Sequence, residues 1–296
     1  MKGKRLWMLV AVLTALLTIA CGNDAAKEQK KEADQKMEAT YKAKDYKLML
    51  STADSLEQAG CLSAVKANYW RGYAYDRLKQ KEEAERYWKV SMEAGEETTD
   101  PEDFEMYARS ASHLANLLCI KTDYEGALKT AQAAVERLEE QKCDTTSDYI
   151  NLLIYVGCSQ AAIGKEVEES KHGFFRAYNK HLENIKKKRS DAAYKDAIAG
   201  LINVAFYCVK AEKYQEALYY TRYFGELLAE YELRPHVSEE YVDRQVGRYN
   251  IYKAQALRGL GQEKEAGETF EAFQTTEFST TAEGLSLAEE YIKAGL

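Results

Sequence analysis

The chain has 296 residues, and its 41 basic and 48 acidic side chains leave a formal net charge of −7. That mild acidity excludes nucleic acid as the main partner, because phosphate binding needs a concentrated basic surface. Only 2 prolines and 17 glycines, with a hydrophobic fraction of 46%, exclude a disordered chain and point to helices around a sizeable core.

The first residues read as an address. Lys2, Lys4 and Arg5 precede Leu6 to Ala20, a run of 15 residues without a charge. The run is shorter than the ~20 residues that span a bilayer and has the flanks of a secretory signal. It ends at Ala20-Cys21, with Gly22-Asn23-Asp24 following. This resembles a bacterial lipoprotein signal, although Thr18 stands where that pattern prefers leucine. The resemblance implies cleavage after residue 20, palmitate-type acylation of Cys21 and attachment to the membrane. Gly22 in place of an aspartate implies the outer membrane, facing the periplasm or the cell surface. A plain secretory peptide with an incidental cysteine is the alternative. Residues 21–44 are dense in Lys, Glu, Asp, Gln and Ala and read as a solvated tether.

From residue 45 to residue 296 the sequence repeats itself. After a half-repeat at Tyr46 to Leu56, five segments share a two-helix template. The small residue of the first helix falls at Gly72, Ala115, Gly157, Ala205 and Ala254. That of the second falls at Ala84, Ala127, Ser170, Ala217 and Ala266, separated from the first by 12, 12, 13, 12 and 12 positions. Antiparallel helices approach closely only where a small side chain sits at the crossing. An aromatic ring four residues later, at Trp88, Phe174 and Phe270, is positioned to fill the space beside it. Tyr124, Ala127, Leu128, Ala131, Ala134, Val135 and Leu138 form one apolar stripe. Asp100-Pro101-Glu102-Asp103 reads as a helix start, and Thr280 with Glu283 as a capping box. Loops are expected at Gly95 to Asp100, Lys142 to Ser147, Lys186 to Ser190 and Gln274 to Ser279. The alternation of a strand is missing.

This pattern resembles the tetratricopeptide repeat (TPR), most clearly at Asp123-Tyr124-Glu125-Gly126-Ala127-Leu128 and at Lys213-Tyr214-Gln215-Glu216-Ala217-Leu218. Successive repeats lie 43, 43, 47 and 49 residues apart, longer than the common unit. Joined to the lipoprotein signal, the likeness is to a Bacteroidetes-like envelope protein. It implies an all-α fold, an α-α superhelix or right-handed solenoid of antiparallel hairpins, closed by a terminal capping helix.

Chemistry is hard to find. His113, His172, His181 and His236 form no metal-ligand spacing, and there is no phosphate-binding glycine loop. The cysteines left after Cys21 are Cys61, Cys119, Cys143, Cys158 and Cys208, with no C-x-x-C pair. Cys61 with Cys143 is the pairing left open. No catalytic residue, cofactor or metal is expected, and the chain does not read as an enzyme.

The resemblance carries groove positions onto the first helix of each repeat. They are Tyr69, Tyr73 and Asp76; Arg109, Ser112, Asn116 and Cys119; Asn151, Ile154 and Cys158; Ile202, Phe206 and Val209; and Arg248, Ile251, Gln255 and Arg258. The apolar middle positions either line a groove or are core. The implied function is a lipid-anchored scaffold that binds a partner protein or peptide, with its oligomeric state open. The alternative is the sensory region, or a truncated relative, of a bacterial signalling kinase or regulator.

Overall fold

The computed structural model describes residues 28–144, 146–164, 172–188 and 190–294. The expected signal, Cys21 and Ser170 lie outside these residues.

Among the described residues every regular element is helical. Residues 28–43 form α1. Then follow α2 (Tyr46–Gln58), α3 (Ala64–Arg77), α4 (Lys81–Gly95), α5 (Pro101–Ile120), α6 (Tyr124–Glu140) and α7 (Ser147–Ile163). After these come α8 (Gly173–Lys188), α9 (Asp191–Lys210), α10 (Tyr214–Glu232), α11 (Glu239–Gly259), α12 (Glu263–Gln274), a 3-10 turn (Glu277–Thr280) and α13 (Ala282–Lys293). The chain packs as two compact units that divide at Leu114, within α5.

Seven helix starts share one device, while α4, α10 and α12 begin without a side-chain cap. Asp45, Ser63, Asp123, Thr146, Ser190, Ser238 and Thr281 each accept a hydrogen bond from the backbone N–H three residues on. This satisfies a donor that the first helical turn leaves free. At α5 the Asp100 carboxylate accepts from the N–H groups of Glu102 and Asp103, with Pro101 as the first helical residue. The last helix is capped by Thr281, one residue beyond the expected Thr280. Thr280 instead donates its hydroxyl proton to the Glu277 carbonyl.

The helix ends share another device. Lys44, Lys79, Thr122, Lys142 and Glu212 have φ between 54° and 64°, in the left-handed region where glycine usually sits. Each follows a helix whose last carbonyls are recaptured by paired bonds. Thr122 N–H donates to Cys119 O and Asp123 N–H to Leu118 O, and the pattern recurs at Lys142–Cys143 and at Glu212–Lys213. Among the described residues Gly60, Gly164 and Gly261 are the glycines with positive φ.

Two expectations shift. The tether expected over residues 21–44 is helical from residue 28, with Ala33, Met37 and Thr40 buried. Ala33 and Met37 join Met49, Ala53 and Leu56 of α2 and Ala67, Tyr73 and Ala74 of α3 in one apolar cluster. The half-repeat at Tyr46 therefore has a partner helix. The run Lys186-Lys187-Lys188, expected in a loop, is the last turn of α8, where the dipole favours cations.

The small residues expected at the crossings are buried wherever they fall among the described alanines. Ala84, Ala115, Ala127, Ala205, Ala217, Ala254 and Ala266 have no exposed surface. A side chain added at Gly72 would stand 2.4 Å from the Trp88 ring, and one added at Gly157 would stand 2.5 Å from both the Phe174 ring and its backbone nitrogen. Gly173 meets the Gly157 backbone and so closes the α7–α8 crossing. Around these crossings the second unit builds a core from Ile198, Leu201, Phe224, Leu228, Tyr231, Ile251, Phe273 and Tyr291. Helix α9 is long and apolar enough to cross a bilayer, but most of it is buried in this core.

Gly157→Ala is expected to cost ~1–3 kcal/mol, because backbone as well as ring would have to move. Gly267→Ala, where the new methyl group meets nothing within 4 Å, is expected to stabilise by about 0.5–1 kcal/mol. Urea denaturation of the two variants checks the contrast.

Candidate functional site

In the first unit the groove positions lie in a lattice of rings. Tyr73 of α3 sits 5.5 Å from Tyr41, 6.4 Å from Tyr46, 6.2 Å from Trp70 and 6.0 Å from His113. His113 stacks on Trp88 at 5.0 Å, and the Arg77 guanidinium lies 4.9 Å from the Tyr73 ring. Tyr69 and Tyr73 are themselves buried, so the face they share is a wall with Tyr41 at its exposed edge. Burial removes the charged form of His113 and lowers its pKa to about 4. Asp76 is paired with Lys81, and Arg109 with Glu105 of its own helix.

In the second unit the positions divide three ways. Cys119, Ile154, Cys158, Ile202 and Ile251 are buried core, so the apolar middle is packing. The Cys158 thiol is pushed far up by its hydrogen bond with Cys119 and by burial, and burial pushes Cys208 up as well. Neither is a nucleophile at neutral pH. Cys61 and Cys143 are free thiols. Among the described residues no group of three His, Cys, Asp or Glu side chains is placed to hold a metal.

A second set is committed to internal bonds. Asn116 accepts a hydrogen bond from the Tyr207 hydroxyl. Arg248 makes a forked pair with Glu283, at 2.6 and 2.9 Å, and lies 5.7 Å from the Phe278 ring. Arg258 lies 3.6 Å from the Tyr291 ring, donates to the Tyr291 carbonyl at 2.7 Å and pairs with Glu263 at 3.3 Å. These two arginines fasten α13 to α11. The tetratricopeptide resemblance places them on a binding face, because the sequence shows their position on α11 but not the partner that the last helix brings.

The third set remains available. Phe206 is half-buried between Tyr207 and Tyr252, at 5.1 and 6.1 Å, with the Lys210 ammonium 5.7 Å from its ring. Gln255 is also partly exposed. Asn151 lines a cleft of about 260 Å³ where α7, the end of α8 and the start of α9 meet. Its other polar walls are Asn184 and Lys188 from α8, Asp196 and Asn203 from α9, and the edge of His181. Helical spacing puts Asp196, Gly200 and Asn203 on one face of α9. His181 is 6% exposed, and its Nε2 is buried without a hydrogen-bond partner. Burial lowers its pKa to about 4, so it is neutral at physiological pH. Of this group, the repeat pattern marks only Asn151 as a groove position. The 196, 200, 203 spacing on α9 was the signal that could have exposed more of it.

No family model matches the chain, and no curated protein matches it. Solved structures do. PilW, a widely conserved type IV pilus biogenesis factor, is 13% identical, with a TM-score of 0.53 over 88% of this chain and 98% of that one. The apo form of RapI is 14% identical, with a TM-score of 0.50 over 90% and 99%. A kinesin light chain of Podospora anserina with nearly identical TPR-like repeats is 14% identical, with a TM-score of 0.49 over 74% and 97%. The fold is a TPR-like array of helical hairpins.

Arg258→Ala is expected to loosen α13 by ~1–3 kcal/mol, through loss of the ring contact and of the bond to the Tyr291 carbonyl. Hydrogen–deuterium exchange then rises selectively over residues 282–293. Unchanged protection there would show that α13 is held by its apolar face alone.

Proposed function

We propose that the protein is a non-catalytic interaction module, held by acylated Cys21 at a bacterial outer membrane, that binds a partner protein or peptide. The fold carries the first half of this reading. Arrays of TPR-like hairpins offer rows of first-helix side chains, and such rows bind partners by apolar anchors and polar clamps. Phe206 is the anchor the geometry favours. It is half-buried and ringed by aromatic groups, with a cation beside it, which is the profile of an interface hot spot. The likeness to PilW, a pilus biogenesis factor, supports a role in envelope assembly. The anchor rests on the sequence at Ala20-Cys21-Gly22. At least two acyl chains on one cysteine supply the affinity that stable attachment requires.

Two measurements test the reading. Capture from envelope extracts is expected to return a defined partner with the wild type and to lose it with Phe206→Glu. An unchanged partner set with that variant would remove Phe206 from the binding face. Metabolic labelling with palmitate is expected to mark the wild type and leave Cys21→Ser unlabelled. Equal labelling of both would sink the anchor.

A further inference from the structure

We propose that the cleft between α7, α8 and α9 binds a small zwitterion of the α-amino-acid class. This goes beyond partner binding and does not depend on it. The first observation is unspent polarity. Asn151, Asn184, Asn203, Lys188 and Asp196 all face the cleft, and none has a hydrogen bond or ion pair with another described residue. The second is His181, a wall of the same cleft, whose buried Nε2 rests against Gly200 without a hydrogen-bond partner. A buried polar atom left unpaired is costly, and a ligand that reaches this ring offsets that cost.

The lining selects by exclusion. Among the described residues no tyrosine, tryptophan or phenylalanine lines the cleft, so these walls offer sugars and nucleobases no stacking face. Among the described residues the cleft is lined by one ammonium, Lys188, and one carboxylate, Asp196, which matches neither a polyanion nor a simple cation. Small apolar groups at Ile150, Ala193 and Gly200 leave room for a short side chain only. At about 260 Å³ the cleft is far larger than a water site yet below the ~300–1,000 Å³ typical of drug-sized ligands.

Lys188 is the last residue of α8, just before α9 begins, and Asp196 stands five residues beyond the first residue of α9. The ligand carboxylate sits toward Lys188 and the positive end of the α9 dipole, and the ammonium toward Asp196. Asn203, two turns further along α9, is reached by a dipeptide held by its carboxylate at Lys188, whose ammonium end then extends past Asp196.

Calorimetric titration of the full chain tests this with L-alanine, L-alanyl-L-alanine, N-acetyl-L-alanine and L-alaninamide. At least one of the first two is expected to bind, and deleting either ligand charge should weaken binding by about tenfold or more, the loss expected for one charged hydrogen bond. Asp196→Asn should cost a similar factor and narrow the gap between alanine and N-acetylalanine. Asn203→Ala should weaken the dipeptide more than the amino acid if the dipeptide is the source. Asp196 and Asn203 are both exposed, and circular dichroism confirms that the variants fold. Equal binding of all four compounds, binding of inorganic phosphate alone, or no heat with any of them at millimolar concentration would overturn the assignment. Partner capture by the same variants would be untouched by such a failure.

Discussion

Two helices can lie against each other only as closely as their bulkiest facing side chains allow, and this chain sets that distance with glycine and alanine. Where Gly72 faces Trp88 and Gly157 faces Phe174, the absent side chain is the space the ring occupies. Where both partners are small, as at Gly157 with Gly173, the backbones themselves meet. Everything else follows from this approach. The buried aromatic groups, the stripes of alanine and the alignment of successive first helices all require the crossings to be tight.

The same constraint explains why tyrosine is abundant without implying chemistry. A tyrosine beside a small residue fills volume with its ring and keeps its hydroxyl at the rim, where it finds a carboxylate or an amide. Tyr149 donates to Glu139, Tyr194 to Glu230 and Tyr207 to Asn116. Burial with the nearby Glu139 carboxylate pushes the Tyr149 hydroxyl up to about 12, so the hydroxyl stays protonated and serves as a donor. These rings therefore stitch helices together, and the residues left over for binding are few.

Most of the fold was legible in the sequence because small residues at fixed separation leave a periodic mark, and so does the helix start at Asp100-Pro101. What escaped notice did so for physical reasons. Residues 28–43 bury only a narrow stripe through Ala33, Met37 and Thr40 and carry charges elsewhere, so their composition is that of a linker. The helix ends at Lys79, Thr122 and Glu212 adopt a backbone that sequence readers assign to glycine. The candidate site was less legible than the fold. Position on a helix marked Asn151 and Phe206, but it could not reveal that Arg248 and Arg258 are held by α13. Nor could it bring together Asn184, Lys188, Asp196 and Asn203, which meet only after three helices have packed.

The ring-and-notch pairs carry a consequence for folding. A chain made of near-copies risks docking a helix against the wrong neighbour, since every hairpin offers a similar apolar stripe. Here the notches are filled by different occupants: an indole at Gly72, a phenyl ring at Gly157, an imidazole at Gly200 and another phenyl ring at Gly247. An exchanged partner would leave a void at one crossing and a clash at another. The irregularity among the repeats thus works as a proofreading key, which makes assembly in the wrong order energetically distinct from assembly in the right one.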